Sequence, residues 1–339
     1  MMNFSNHLLN RKSKVMKNII IGIDISSKTL DICVKEESVN YFSIENNVQV
    51  IKRFFKRYSN ENVIIAMENT GRYNWNLFEA LEKFNFKVYV ISALHIKKSI
   101  GLVRGKNDKI DALRICNFIE KNHQETREWR PSSKAIKKIK ILLTERASRI
   151  KIKKQLMVQQ HDYKLMKSVG LDKQLKGLNI KLIKDIEKQI KALENDIENI
   201  IHKDENLNQQ QKLIKSVPGV GLVLSWTLLS KTEGFTTIID PRKMACYSGV
   251  VPFDFQSGTS LKRRPGVSML ADKNLKTILH MAAMSAIRLD NDLRTYYIRK
   301  VDEGKNKMSV LNAVRNKIIH RVFAVIKNQI PYKKDLVLS

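Results

Sequence analysis

The sequence predicts an α/β N-terminal domain with a mixed sheet flanked by helices, followed by long antiparallel helices and a mainly α C-terminal domain. Three observations carry that reading. The first 125 residues alternate short β-branched apolar runs with amphipathic stretches. Residues 133–205 contain no proline, and their only glycines are Gly170 and Gly177. Most of the prolines and glycines then gather after residue 210, as turns between further helical stretches.

Taken in order, NIIIGIDI (18–25), a Ser-Ser-Lys-Thr turn and LDICVKE (30–36) read as a β-hairpin. YFSIE (41–45) is a third strand and NNVQVIKRFFKRY (46–58) an amphipathic helix. VIIAME (63–68) has the unbroken apolar content of a buried strand. WNLFEALEKF (75–84) is a helix, KVYVIS (87–92) a strand and DKIDALRICNFIEK (108–121) a helix.

Pro131 and Ser132 open a different regime. Ile183, Ile186, Ile190, Leu193, Ile197 and Ile200 step alternately by three and four, a heptad seam. Val169-Gly170 interrupts the pattern, so two long antiparallel helices are expected. Their charged flanks favour a protruding coiled-coil arm or dimer element over a pair buried in a globular domain. Helices resume at about 272–288, 291–302 and 307–328. The expected segments are a disordered lead-in (1–17), the α/β domain (18–130), the helical arm (131–210), the C-terminal domain (211–330) and a tail (331–339).

Sixty-two Lys and Arg against 33 Asp and Glu leave a net charge of +29. A chain this basic repels itself unless a polyanion accompanies it, and nucleic acid is the commonest. Cys33, Cys116 and Cys246 show neither CxxC spacing nor pairing, which points away from zinc and disulfides and towards a reducing cytoplasm. No apolar run approaches the roughly 18 residues of a membrane span, and the basic first 18 residues do not read as a signal peptide.

Against that basic background four carboxylates stand out. Asp24 and Glu68 each end an apolar strand, where a lone ionised carboxylate is costly. Asp108 and Asp111 lie three apart at a helix start and project from one face. Each alone has an ordinary explanation: Asp108 as a helix cap, Asp111 as a first-turn charge, Glu68 as a turn residue. Together, at about 5 Å, they repel by about 3 kcal/mol per pair at an effective dielectric of 20. Arg104, Lys106 or Lys109 could neutralise them, but hard oxygen ligands suit magnesium or manganese better. Two such ions about 3.5–4 Å apart would serve a phosphodiester displacement. Asp31, on the second strand, is a fifth candidate ligand or a solvent-facing residue.

In SVPGVGLVLSWTLLS (216–230), Pro218 breaks one helix, and Gly219 and Gly221 allow the amides of the next helix N-terminus to approach a phosphate. This looks like the turn of a helix-hairpin-helix, a candidate contact for a nucleic-acid backbone. GIDISSKTLDICV also resembles the first phosphate loop of actin-like ATPases and sugar kinases, but no second glycine-rich loop or adenosine site follows.

GIDISSKTLDICVK, AMENTGRYNWNL, RGKNDKIDALRIC, SVPGVG and YSGVVPFDFQSG, in that order, resemble the insertion-sequence one-ten (IS110) family of transposases, related to the Piv-type invertases that flip pilin genes. The resemblance spans residues 18–328. It implies a ribonuclease-H/RuvC-like DEDD domain, a coiled coil and a C-terminal transposase domain with a catalytic serine. It also implies magnesium (or manganese) as cofactor, donor and target DNA and a guide (bridge) RNA as partners, a homo-oligomer (dimer or tetramer), no membrane, and a place on the nucleoid. The DEDD set falls on Asp24, Glu68, Asp108 and Asp111, and the serine on Ser257 within QSG, with Ser260 as competitor. Lys262, Arg263 and Arg264 would bind the scissile phosphate. Two other functions stay open: a RuvC-like junction nuclease using water, and a non-catalytic nucleic-acid-binding scaffold.

Overall fold

A computed structural model of the chain describes residues 18–99, 107–257, 261–289 and 291–333; for residues 98, 99, 254–257 and 261–265 it describes the backbone alone. The chain divides into two compact units, 1–131 and 132–339. Among the described residues no helix is long and apolar enough to cross a membrane.

The first unit runs β1 (Ile19–Ile25), β2 (Thr29–Lys35), β3 (Val39–Glu45), α1 (Val48–Lys56), β4 (Val63–Glu68), α2 (Trp75–Leu81), β5 (Lys87–Ile91), α3 (Ala93–Ser99) and α4 (Asp108–Asn122). Its sheet has the order β3-β2-β1-β4-β5. β1 pairs antiparallel with β2 and parallel with β4, so the central strand is where the sheet changes sense. Alternation along the strands splits the core in two. Ile21, Ile23, Ile65 and Met67 face Phe54 and Phe55 of α1 and Leu77 of α2. Ile20, Cys33, Ile64 and Ala66 face Ile115, Cys116 and Ile119 of α4. The mixed sheet flanked by helices is as expected; the short helix α3 was not anticipated.

The second unit opens with α5 (Lys134–Asp162) and α6 (Asp172–His202), joined through a 3₁₀ segment that ends at Gly170 in left-handed backbone (φ 75°). Arg146 pairs with Glu194 at 2.8 Å, and Lys153 with Glu187 at 2.6 Å. Partners descend on α6 as they ascend on α5, so the two helices are antiparallel. Most of the α6 seam is only half-buried, whereas Ile197 is fully buried with Ile136, Ile139 and Ile201 in the core of the unit. The pair is therefore rooted in that core at one end.

There follow α7 (Glu205–Lys215), α8 (Leu222–Thr232), α9 (Pro241–Tyr247), β6 (Phe253–Ser257), β7 (Leu261–Gly266), α10 (Lys273–Ala286), α11 (Asp292–Asp302) and α12 (Lys307–Asn328). Trp226 and Leu228 of α8 are buried with Leu279 of α10 and Ile318 of α12. In the turn-rich stretch around QSG, β6 and β7 form an antiparallel hairpin. The alternation in FDFQS is too short to announce a strand, and its pairing with LKRRPG is what makes it one.

Candidate active site

Gly22 determines how the first unit builds its site. A side chain there would put a Cβ 2.3 Å from the Ala112 carbonyl oxygen and 2.8 Å from the Cys116 Cβ, so only glycine lets α4 lie this close to β1. The Cys116 thiol reaches the Ile20 carbonyl at 3.4 Å. Cys116 thus lies over Ile20 and Ala112 over Gly22, and the helix runs opposite in sense to the strand. Two residues further along β1 is Asp24, and one turn back along α4 is Asp108. The same close contact therefore brings the α4 N-terminus over the carboxyl end of β1.

Register supplies the other members. Gly22 pairs with Ala66 on β4, so Glu68, two residues on, ends β4 beside Asp24. Asp31 is the direct partner of Asp24 across β1 and β2, and directly paired residues share a face. The sheet-end carboxylates accordingly share the face that α4 covers. Carboxyl ends of strands where a sheet changes sense are a common place for open α/β sheets to bind ligands.

The local supports are polar. Asn107 caps α4, its Oδ1 accepting from the Lys109 amide at 3.0 Å. The cap is thus Asn107, and Asp108 stands free of that duty in the first turn. Asp111 pairs with Arg114 at 2.6 Å. The fully buried Asn74 donates to the Glu68 carbonyl at 3.0 Å and accepts from the Thr70 amide and hydroxyl at 2.9 and 2.7 Å. It pins the turn that follows Glu68. Asn46 donates to the Ser26 carbonyl at 2.9 Å and the Tyr73 carbonyl at 3.1 Å, linking the turn after Asp24 to the same region. Sequence reasoning missed Gly22, Asn46 and Asn74. Only the glycine inside a strand left a signal.

The electrostatics converge on Asp24. Burial first, then the charge of Asp111, and further the charges of Asp108 and Glu68, raise its carboxyl to about 6, against a hydrogen bond from the Ile25 amide that lowers it. The charges of the other three carboxylates therefore all bear on Asp24 at the end of β1. Among the described residues no three His, Cys, Asp or Glu side chains stand close enough to close on one metal ion. The fit to a divalent cation is thus one of charge and of all-oxygen donors; a ready-made coordination shell is not part of it.

In the second unit Gly219 has a positive φ of 83°, and a Cβ there would meet the Ala282 carbonyl at 2.5 Å. Packing of this turn against α10 requires that glycine. Gly221, with open space around it, precedes α8, whose first residue Leu222 is exposed. Ser257 ends β6 and pairs with Leu261. Lys109 is exposed on α4. The side chains of Ser257, Lys262, Arg263 and Arg264, together with Arg104, Lys106 and Ser260, lie outside the described residues.

Comparison with known families agrees with this layout. Residues 21–163 match a model of the DEDD transposase of IS110 elements, a span holding Asp24, Glu68, Asp108 and Asp111. Residues 211–298 match the model described as transposase IS116/IS110/IS902 family, a span holding Gly219, Gly221 and Ser257. The pilin gene-inverting proteins of Moraxella bovis and Moraxella lacunata are each 24% identical over 331 residues, covering 95% of this chain and 99% of theirs. An uncharacterized 42 kDa protein of insertion element IS900 from Mycobacterium paratuberculosis is 26% identical over 152 residues, 43% of this chain and 37% of that one.

Proposed function

We propose that this chain, a transposase of the IS110/IS116/IS902 family, cuts and rejoins DNA with a magnesium-dependent carboxylate site and a serine nucleophile under the guidance of an RNA. The observation that carries the reading is Asp24, a half-buried strand-end carboxyl raised to about 6 by burial and by three neighbouring carboxylates. Leaving a carboxylate so placed without a cation is unfavourable, and a family of DNA-acting enzymes gives the arrangement a use.

Asp24, Glu68, Asp108 and Asp111 would hold the metal in a RuvC-like domain, with manganese able to replace magnesium. When bound, the metal supplies positive charge to the scissile phosphodiester and its leaving oxygen. Ser257 attacks phosphorus through its hydroxyl oxygen. A serine–phosphate ester forms, the bond from phosphorus to the departing deoxyribose oxygen breaks, the serine proton passes to a base, and the departing oxygen takes one up. Lys262, Arg263 and Arg264 bind the phosphate under attack, and the amides after Gly221 take a backbone phosphate nearby. Arg104, Lys106 and Lys109 bind nucleic acid beside the carboxylates. The arm of α5 and α6 joins copies of the chain into a dimer or tetramer.

Denaturing the protein after incubation with DNA from the element's ends tests the reading. A covalent protein–DNA adduct is expected from the wild type, a reduced amount from Lys262→Ala, and none from Ser257→Ala or Asp24→Ala. Cleavage that survives both Ser257→Ala and Ser260→Ala would remove the serine and leave a nuclease that uses water. Sequencing RNA that copurifies with the protein tests the guide: a discrete species mapping beside the gene is expected.

A further inference from the structure

Outside the carboxylate site, one charged side chain among the described residues is buried with no described carboxylate beside it. Arg315 on α12 is only 6% exposed, yet among the described residues no carboxylate lies within ion-pair distance of its guanidinium. Elsewhere in this unit cations do have carboxylate partners: the more exposed Lys231 meets Asp272 at 2.7 Å, and the half-buried Arg321 is held by Asp292. Arg315 instead donates to neutral acceptors, Nη2 to His280 Nδ1 at 2.7 Å and Nη1 to Asn312 Oδ1 at 3.2 Å. Its Nε and the Oδ1 of Asn316 are buried with no hydrogen-bond partner among the described residues. A guanidinium so placed keeps its charge, because it does not deprotonate in proteins.

The surroundings are rich in donors. Because His280 Nδ1 accepts from Arg315, the ring carries its proton on Nε2, and His280 is only partly buried. One turn earlier on the same face of α10 is Lys276, whose stem lies 3.9 Å from the Cβ position of Gly249. Gly249 and Val250 are the residues that lead into β6, the strand that ends at Ser257. A polar seam between α10 and α12 thus carries Lys276, His280 and Arg315, with no acidic side chain among the described residues paired to Arg315, and it runs to the foot of the hairpin.

We propose that this seam is an anion site, with Arg315 and Lys276 taking a backbone phosphate of DNA next to the β6–β7 hairpin. Arginine's planar fork matches a phosphate bidentately, which suits it to this task. A phosphate contact fixes the register of the duplex and carries no sequence information. The inference rests on the reading of the chain as a DNA-acting enzyme. It also makes a claim about folding: the charge is kept for the ligand's sake and at stability's expense.

Fluorescence anisotropy of a labelled DNA duplex, titrated with the full-length protein over a range of salt concentrations, tests it. Arg315→Met should weaken binding about tenfold and reduce the slope of log K against log salt by about 0.9, one phosphate contact. The melting temperature of that variant should hold or rise. Arg315→Lys should retain the slope. Lys276→Gln, which keeps most of the half-buried stem and removes the charge, should reduce the slope by a similar amount and decides the matter should Arg315→Met fail to fold. Wild-type affinity and slope in Arg315→Met, or in Lys276→Gln if that variant must decide, overturn the proposal and make Arg315 a packing residue. Absence of DNA binding by the wild type would instead refute the functional reading on which the proposal rests.

Discussion

In the C-terminal unit Asp292 accepts from both Nη atoms of Arg321 and from the Tyr332 hydroxyl, whereas Asp24 in the N-terminal unit has three further carboxylates for neighbours. Burial pushes both carboxyls up. For Asp292 the Arg321 bond and charge outweigh burial and hold it below the usual range. The same is true of Asp272, where burial is overcome by Lys231, the Leu275 amide and Tyr247. At Asp24 nothing of that strength opposes burial, and Asp111, Asp108 and Glu68 add to it. The first arrangement is complete within the chain. The second leaves Asp24 raised even though Asp111 keeps Arg114 at 2.6 Å, and that contrast is what the proposed metal role would account for.

The comparison breaks most visibly at Asp24. Asp24→Asn keeps shape and removes charge, and should lower recombination by about 100- to 1,000-fold. Its thermal unfolding should stay level or rise, since the replaced charge is repelled in the fold. A fall in activity matched by a fall in melting temperature would mean that Asp24 is structural. Next in size is Gly22→Ala, which forces a Cβ against the Ala112 carbonyl. It should cost about 3 kcal/mol in denaturant unfolding and reduce activity as well, because α4 carries Asp108 and Asp111. Wild-type stability there would show that the close helix–strand contact does not position the site.

Asp292→Ala sits on the other side of the comparison. It removes the partner of a largely buried arginine and should cost about 1–2 kcal/mol, discounted for the partial exposure of the pair. Divalent cation should leave that loss unchanged. The smallest effect is on pH. A carboxyl whose folded value lies above its ordinary 3.8 binds its proton more tightly in the folded state. Asp24 therefore subtracts no stability below about pH 4 and lowers it as pH rises to about 6. Asp272 and Asp292, held low, act in the opposite sense: their contribution is present above the ordinary carboxylate value and lost as pH falls. Magnesium should thus raise the melting temperature at pH 7.5 by more than at pH 5; an equal rise would dissociate the metal from Asp24.

These contrasts were legible in the sequence to different depths. β4 was readable to the residue, because VIIAME is an unbroken apolar run closed by a charge, and the start of α4 was readable from Asn107-Asp108. The two long helices followed from the absence of proline. What local pattern could not supply was anything made by distant partners. Gly22 matters only because Ala112 and Cys116 come to lie on it, some 90 residues later in the chain. The β6–β7 hairpin exists through its pairing. Gly219 looked like a phosphate-loop glycine, but its backbone faces α10, which leaves Gly221 as the residue with room for a ligand. That Asp24, Glu68, Asp108 and Asp111 belong together is an expectation from chemistry and from resemblance; what brings the α4 N-terminus over the end of β1, a glycine-seated helix, needed the fold.

The most direct test is a calorimetric titration of the full-length protein with magnesium, repeated with manganese, at pH 7.5 alongside the variant in which Asp24, Glu68, Asp108 and Asp111 are all alanine. The account predicts binding by the wild type that vanishes in the quadruple variant, together with loss of recombination. Undiminished cation binding, or recombination that persists without the four carboxylates, would contradict it.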